Sequence, residues 1–332
     1  MPDNPTLRRL MTIPAVIVLF VILTVGSPVF ALATVSIDSV RSISSGRPWI
    51  ASRGVLFLWV YLLGELWALL ALVASAPLPR PSRDEITFDL QGVWARWNLK
   101  ALCRLFSIEV SVEGQDNAKR GPLILLSRHA SLVDTLLPAN LVANPHRIRL
   151  RYVLKRELLF DPALDIAGNR LPNYFVDRSG EQTSNEIAAI GELARHLQPN
   201  EGVLIYPEGT RFSEEKRERY VSRLTRHGGA LGRLAAGFRT VLPPRAAGTL
   251  ALLETSDADV VLLAHHGLEG LATVGDIWAG GLVGTTIEVA LWRIPRSAIP
   301  TERNEQVEWL FEVWRAVDEW VVNRTSPERP QG

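Results

Sequence analysis

The chain has 332 residues, enough for one large domain or two ordinary ones, and 47% of them are hydrophobic. Its formal net charge of +1 at pH 7 gives no electrostatic basis for binding nucleic acid. The single cysteine, Cys103, excludes an intrachain disulfide. This composition is typical of a membrane-associated protein and not of a nucleic-acid-binding one.

Two apolar segments dominate the first 80 residues, and we predict that this region anchors the protein in a membrane. Residues 10–35 carry no charged side chain and exceed the ~20 residues that span a bilayer. Residues 54–76 are interrupted only by Glu65, whose carboxylate we expect to face the first helix or to be protonated. A cleavable signal peptide is the alternative for the first segment. A spanning hairpin and a shallow re-entrant pair both agree with the pattern.

The remaining chain, residues 81–332, is predicted to form one α/β domain. The proline-rich residues 76–84 indicate a linker to it. Residues 90–105 then predict an amphipathic helix that either packs on the core or lies at the lipid headgroups. Further helices are predicted at 132–142, 186–197 and 305–322. The predicted strands are 108–112, 122–126, 150–154, 174–176, 202–206, 260–264 and 287–292.

A histidine and an aspartate follow the predicted strand 122–126. His129 falls in the turn after this strand, and Asp134 falls in the first turn of the next helix. Asp134 can therefore accept a hydrogen bond from one imidazole nitrogen, which leaves the other nitrogen free to take a proton from a hydroxyl group. The alternative is a helix cap, in which Asp134 accepts the amide hydrogen of Ser131. The spacing alone is compatible with both.

The string YPEGTR, residues 206–211, follows another predicted strand. Pro207 ends that strand and places Glu208, Gly209, Thr210 and Arg211 in a turn. Glycine permits a tight backbone, threonine offers a hydroxyl, and the planar guanidinium matches the oxygens of a phosphate. The turn is a candidate phosphate site, and a surface turn with a Glu–Arg ion pair is the alternative.

Arg178 is a candidate second contact to phosphate. It follows the predicted strand 174–176, and open α/β sheets bind ligands at the carboxyl ends of their strands. A salt bridge with Asp177 is the alternative.

These strings, taken in order, resemble the lysophospholipid acyltransferase family, the PlsC-like proteins that include 1-acylglycerol-3-phosphate acyltransferases. His129 and Asp134 match the family's histidine and aspartate separated by four residues, residues 175–178 match its second block, and YPEGTR matches its third. The string VLPPRAAG, residues 241–248, is closest to the lysocardiolipin acyltransferase branch. The resemblance extends over roughly residues 85–323.

The resemblance implies a mostly parallel mixed sheet flanked by helices and preceded by a pair of membrane helices. It implies that His129 and Asp134 are catalytic and that Arg178, Glu208, Gly209, Thr210 and Arg211 form the site for the substrate phosphate. Arg128 stands where many members have asparagine, and a cation there would keep the imidazole neutral. Further supporting residues are Lys155, Pro243 and Arg245.

The activity that the resemblance implies is transfer of a fatty acyl group from acyl-CoA or acyl carrier protein to a lysophospholipid, most directly 1-acyl-sn-glycerol-3-phosphate. No metal or other cofactor is expected, because a thiolate leaves without one. The protein is expected in the inner membrane with its catalytic domain facing the cytoplasm. A transacylase or lipid hydrolase that uses the same pair, and a catalytically silent lipid-binding membrane protein, are the alternatives.

Overall fold

A computed structural model describes residues 4–177, 183–269 and 274–325. The α-helices within these ranges, in chain order, are α1 (Pro5–Val25), α2 (Ser27–Ser45), α3 (Ala51–Ala74), α4 (Arg80–Phe106), α5 (Asn144–His146), α6 (Pro162–Arg170), α7 (Ser184–Glu192), α8 (Glu214–His227), α9 (Gly229–Ala236), α10 (Ala246–Thr255), α11 (Val274–Ala279) and α12 (Arg303–Thr325). The strands are β1 (Glu109–Glu113), β2 (Leu123–Ser127), β3 (Arg149–Lys155), β4 (Tyr174–Val176), β5 (Glu201–Ile205), β6 (Asp259–His266) and β7 (Thr286–Ile294).

The chain divides by packing into two compact units. The first, here called the helical unit, comprises Met1–Glu109, Leu154–Gly180 and Thr273–Thr285. The second, the sheet unit, comprises Val110–Val153, Glu181–Ala272 and Thr286–Gly332. The predicted division into a membrane anchor up to residue 80 and an α/β domain after it is a statement about function and stays a prediction.

Two helices of the helical unit, α1 and α3, are long and apolar enough to cross a membrane. The predicted single segment at 10–35 is wrong in its bounds, because α1 ends at Val25 and α2 begins at Ser27. Pro28 explains the break, since proline has no N–H to donate to the preceding turn. The proline-rich linker is also shorter than predicted, because α4 begins at Arg80 and accepts a proline in its first turn.

Buried polar side chains join the helices of this unit. Glu65 lies in α3 and faces α4, not the first helix, because it accepts a 2.7 Å hydrogen bond from the indole N–H of Trp94. Asp38 caps the start of α3 by accepting backbone N–H groups from residues 50, 51 and 52. Asp165 of α6 accepts a 2.6 Å hydrogen bond from Arg8 of α1. Each of these carboxylates is almost fully buried and depends on such donors.

The sheet unit contains strands in the order β1-β7-β6-β2-β5-β3. Strand β2 is parallel to both β5 and β6, β3 is parallel to β5, and β7 is antiparallel to β6. The predicted mixed, mostly parallel sheet is therefore confirmed. Residues 123–126 of β2 are completely buried, as expected for a central strand of leucine and isoleucine.

The register of the sheet determines where the candidate residues meet. Leu126 of β2 is opposite Ile205 of β5, and Ser127 is opposite Leu263 of β6. Because these three strands are parallel, the chain segments that follow them leave the sheet at the same edge. The turns after β2 and β5 are those that contain the predicted catalytic and phosphate-binding residues.

We expect the full-length protein to remain in the membrane fraction after alkaline carbonate washing, because α1 and α3 are predominantly apolar helices of 21 and 24 residues, long enough to cross a bilayer. The measurement is an immunoblot of pellet and supernatant, with N-terminal sequencing of the purified chain. Release into the supernatant, or a mature protein that begins near Thr34, would contradict this expectation.

Candidate active site

His129 and Asp134 are in direct contact in the turn that follows β2. The Nδ1 atom of His129 lies 3.0 Å from Oδ1 of Asp134. Asp134 is completely buried, while the imidazole is 13% exposed. The predicted pairing of the two side chains is thus present in the geometry.

The other oxygen of Asp134 makes the cap that the sequence left as an alternative. Asp134 Oδ2 accepts the backbone N–H groups of Ala130 at 2.6 Å and Ser131 at 2.7 Å. Ser131 Oγ in turn accepts the N–H of Val133 at 3.0 Å. The carboxylate therefore performs both roles at once, with one oxygen for the imidazole and one for the backbone.

The helix predicted at 132–142 is irregular. It begins as a 3-10 turn over Val133–Leu136 and continues as a π turn over Ala139–Ala143. Pro138 lies between them and cannot donate to the carbonyl of Asp134. The tight first turn is where Asp134 lies.

The environment of Asp134 keeps it ionised. Burial by itself would raise the pKa of Asp134, but hydrogen bonds from His129 and from His265 together lower that pKa below its usual value. An ionised carboxylate can only accept, so Nδ1 of His129 must carry the imidazole proton. The Nε2 atom is then the nitrogen that can take a proton from a substrate. The ring of Tyr206 packs against the imidazole, with 4.6 Å between ring centroids.

Glu208 holds the backbone of His129, the predicted catalytic histidine. Its Oε1 accepts the N–H of His129 at 2.8 Å, and its Oε2 accepts the N–H of Leu242 at 3.0 Å. The side chain is completely buried, and burial raises the pKa of Glu208 to about 7. Glu208 thus links the two turns through their backbones. Both of its oxygens accept backbone N–H groups, so its place in the predicted phosphate site is to shape the turn and not to contact the phosphate.

The remainder of the YPEGTR turn offers one unengaged cation. Gly209 has φ +70°, and a Cβ atom there would lie 2.9 Å from Cδ of Arg245, so only glycine fits without strain. Thr210 Oγ1 accepts from Lys216 Nζ at 3.2 Å. Among the described residues the guanidinium of Arg211 has no hydrogen-bond or ion-pair partner, so its fork is available to a ligand.

Arg245 lies beside this turn, and its backbone N–H donates to the carbonyl of Pro207 at 2.8 Å. Its guanidinium lies over the ring of Tyr220, 5.2 Å from the centroid, and contacts the tyrosine hydroxyl. Pro243 is buried in the segment that leads to Arg245. These two predicted supporting residues therefore adjoin the candidate phosphate turn.

The other predicted site residues are Arg128, Lys155 and Arg178. The guanidinium of Arg128 is buried, where it contacts the Glu269 carboxylate and donates to the carbonyls of Thr240 at 2.8 Å and His265 at 2.5 Å. Lys155 ends β3 within the helical unit. Arg178 lies outside the described residues.

Sequence reasoning missed two buried residues that support the site. His265 lies against Asp134, and Asp318 of α12 accepts the backbone N–H groups of residues 239–241. The only sequence signal for His265 was its position near the end of a predicted strand. Its neighbour His266 is partly exposed, because successive side chains of a strand point to opposite faces of the sheet.

Comparison with known proteins shows which of them this chain is similar to. Residues 109–246 match the family model described as Acyltransferase, and this range contains His129, Asp134 and the YPEGTR turn. The chain is 31% identical over 167 residues to the 1-acyl-sn-glycerol-3-phosphate acyltransferase of Pseudomonas aeruginosa. That alignment covers 49% of this chain and spans 60% of the length of the relative.

Among solved structures, the fold is similar to that of PlsC, the 1-acyl-sn-glycerophosphate acyltransferase of Thermotoga maritima. The TM-score is 0.52 at 16% identity, and the match covers 83% of this chain and 100% of the other. The chain is thus similar to PlsC-like acyltransferases in two ways, since residues 109–246 match the Acyltransferase family model and the fold is similar to that of PlsC.

We expect Glu208→Gln to change how stability depends on pH. Because burial raises the pKa of Glu208 from 4.5 to about 7, the folded protein holds a proton in this interval that the unfolded chain has lost. The contribution of Glu208 to the free energy of unfolding is therefore full below pH ~4.5 and is lost as the pH rises through ~7. The glutamine has no such slope, and its amide N–H group faces a backbone donor, a mismatch that costs about 1–3 kcal/mol.

The measurement is the Tm of the purified protein between pH 5 and 8, with exposed Glu215→Gln as the matched control. The difference in Tm between wild type and Glu208→Gln should become smaller as the pH rises, and the Tm of the control should follow that of the wild type. Parallel curves for wild type and Glu208→Gln would show that Glu208 keeps its ordinary pKa.

Proposed function

We propose that this protein is a membrane-bound 1-acyl-sn-glycerol-3-phosphate acyltransferase. It transfers a fatty acyl group from acyl-CoA or acyl carrier protein to the free hydroxyl of the lysophospholipid and so forms phosphatidic acid. The observation that carries this proposal is the 3.0 Å contact between His129 and an ionised, buried Asp134 in the turn after a central strand. The activities for which the Pseudomonas and Thermotoga proteins are named support the choice of acceptor.

The proposed mechanism is direct transfer from donor to acceptor. Nε2 of His129 takes the proton of the acceptor hydroxyl while its oxygen attacks the thioester carbonyl. The tetrahedral intermediate then collapses, its carbon–sulfur bond breaks, and the thiolate leaves. Asp134 stabilises the imidazolium that forms between these steps, and the imidazolium can return its proton to the thiolate. A thiolate is a good leaving group, so this reaction needs no metal or other cofactor.

The acceptor phosphate is proposed to bind at the turn of residues 209–211. Arg211 supplies a guanidinium that has no partner in the described part of the chain, and Arg245 lies against the neighbouring Gly209. An arginine fork forms two parallel hydrogen bonds to phosphate oxygens, which fixes the orientation of the ligand as well as its charge. Arg178 remains a proposed third contact on the basis of its match to the family's second block.

The cellular placement is also a proposal. Helices α1 and α3 are proposed to hold the enzyme in the inner membrane, where its lipid acceptor and product reside. The thioester donors are cytoplasmic, so the catalytic residues should face the cytoplasm.

The test is an assay of detergent-purified protein with oleoyl-CoA and 1-oleoyl-sn-glycerol-3-phosphate. Thiol release should match the phosphatidic acid detected by mass spectrometry, and folded His129→Ala should release none above background. Free fatty acid without acceptor would indicate a hydrolase, and acyl transfer from a phospholipid without CoA would indicate a transacylase. Binding of lipid without turnover of any donor would indicate a silent binding protein. Product formation by His129→Ala would overturn the general-base mechanism.

We expect Arg211→Lys to be harmful although it keeps the charge. An ammonium group cannot reproduce the two-point contact, and a hydrogen bond to a charged group contributes about 1.5–3 kcal/mol, so kcat/KM for the acceptor should fall roughly ten- to hundred-fold. The KM for acyl-CoA should stay near its wild-type value. The matched control is Arg195→Lys, an arginine of the same unit that is 51% exposed.

Monoacylglycerol, which lacks a phosphate, separates phosphate binding from general damage. Its turnover should be low in the wild type and insensitive to Arg211→Lys. Equal use of both acceptors by the wild type, or an unchanged kcat/KM in Arg211→Lys, would remove Arg211 from the proposed phosphate site.

A further inference from the structure

His265 is a buried histidine that the proposed mechanism does not use. It lies near the end of β6 and has no exposed surface. Because Ser127 of β2 is opposite Leu263 of β6, His265 lies alongside the residues that follow β2. Those residues include the catalytic His129.

The side chain and the backbone of His265 both contact Arg128, the residue that precedes His129. The Nε2 atom of His265 is 3.1 Å from the carbonyl oxygen of Arg128, and Nη1 of Arg128 donates to the carbonyl of His265 at 2.5 Å. A carbonyl oxygen only accepts, so Nε2 of His265 must carry a proton. The two residues thus hold each other through reciprocal hydrogen bonds from side chain to backbone.

The same imidazole nitrogen also faces the catalytic carboxylate. Nε2 of His265 lies 3.5 Å from Oδ2 of Asp134, whereas His129 contacts Oδ1. The two imidazoles therefore approach Asp134 from its two different oxygens. The hydrogen bond from His265 is one cause of the lowered pKa of Asp134.

The cost of placing an imidazole here indicates that these contacts matter. Nδ1 of His265 is buried and has no hydrogen-bond partner among the described residues. A buried polar atom without a partner is unfavourable, and an apolar side chain of similar size would fill the space without it. The contacts of Nε2 are the feature that an apolar residue would lack.

We propose that His265 is a positioning residue for acyl transfer, which fixes the backbone at Arg128 and the orientation of Asp134 so that His129 is aligned as a base. This inference rests on the proposed function and adds a residue that touches neither substrate. Loss of His265 should lower turnover and leave substrate binding unchanged, because the described contacts of its side chain are with Arg128 and Asp134 and not with the turn of residues 209–211.

The experiment compares His265→Leu and His265→Gln with wild type. Leucine removes the donor, so kcat should fall roughly ten-fold while the KM for the acceptor stays within about two-fold. Glutamine can place an amide N–H near the position of Nε2 and should recover most of the activity. His196→Gln is the matched control, because His196 is an exposed histidine of the same unit. A fully active His265→Leu would overturn the proposal, as would a glutamine variant no better than the leucine variant.

A second comparison tests whether His265 acts through Asp134. In an Asp134→Asn background, His265→Leu should cause little further loss of kcat, because the carboxylate that it orients is already absent. An equal ten-fold loss in both backgrounds would overturn the proposal, since it would show an independent effect. If His265→Leu does not fold, as judged by Tm, His265→Phe, which also lacks the N–H donor, replaces it in both comparisons and is judged by the same outcomes. Absence of wild-type turnover with every donor would instead refute the proposed function.

Discussion

The active-site turns of the sheet unit depend on buried carboxylates that accept backbone N–H groups. Asp134, Glu208 and Asp318 are each 0–1% exposed, and each binds amides of a segment that is not part of the sheet. A buried turn has no ladder partner for its N–H groups, and an unpaired amide in the interior is costly. The carboxylates replace the missing secondary structure and thereby fix these turns.

These contacts connect His129, the proposed general base, to the last helix. Asp318 of α12 accepts the backbone N–H groups of residues 239–241. The N–H group of the next residue, Leu242, donates to Glu208, and Glu208 also accepts the N–H group of His129. Each link is a hydrogen bond from a backbone N–H group to an oxygen of a buried acidic side chain. The position of His129 therefore depends on Asp318, a residue almost 190 positions further along the chain.

Sequence patterns predicted what is local. The strands were found from runs of apolar residues, and the His129–Asp134 contact follows from five residues of spacing within one turn. Strand order was not predictable in this way, because it depends on packing between distant segments. His265 lies near Arg128 only because β6 lies beside β2 in the sheet. The helix break at Gly26 was missed because the long apolar run around it outweighed the signal of a single proline, Pro28. The burial of Glu208 was likewise not predictable from the sequence, since the string YPEGTR is equally compatible with a surface turn.

The donors around Asp134 explain how a buried anion remains useful to catalysis. An arginine paired with this carboxylate would stabilise it but would also cancel its field at the imidazole. Arg128, only one residue from His129, instead directs its guanidinium to Glu269. Asp134 receives backbone amides and imidazole N–H groups, whose dipoles stabilise the charge without neutralising it. In the proposed mechanism its negative charge therefore remains available when His129 becomes positive, which is the step at which a general base needs it.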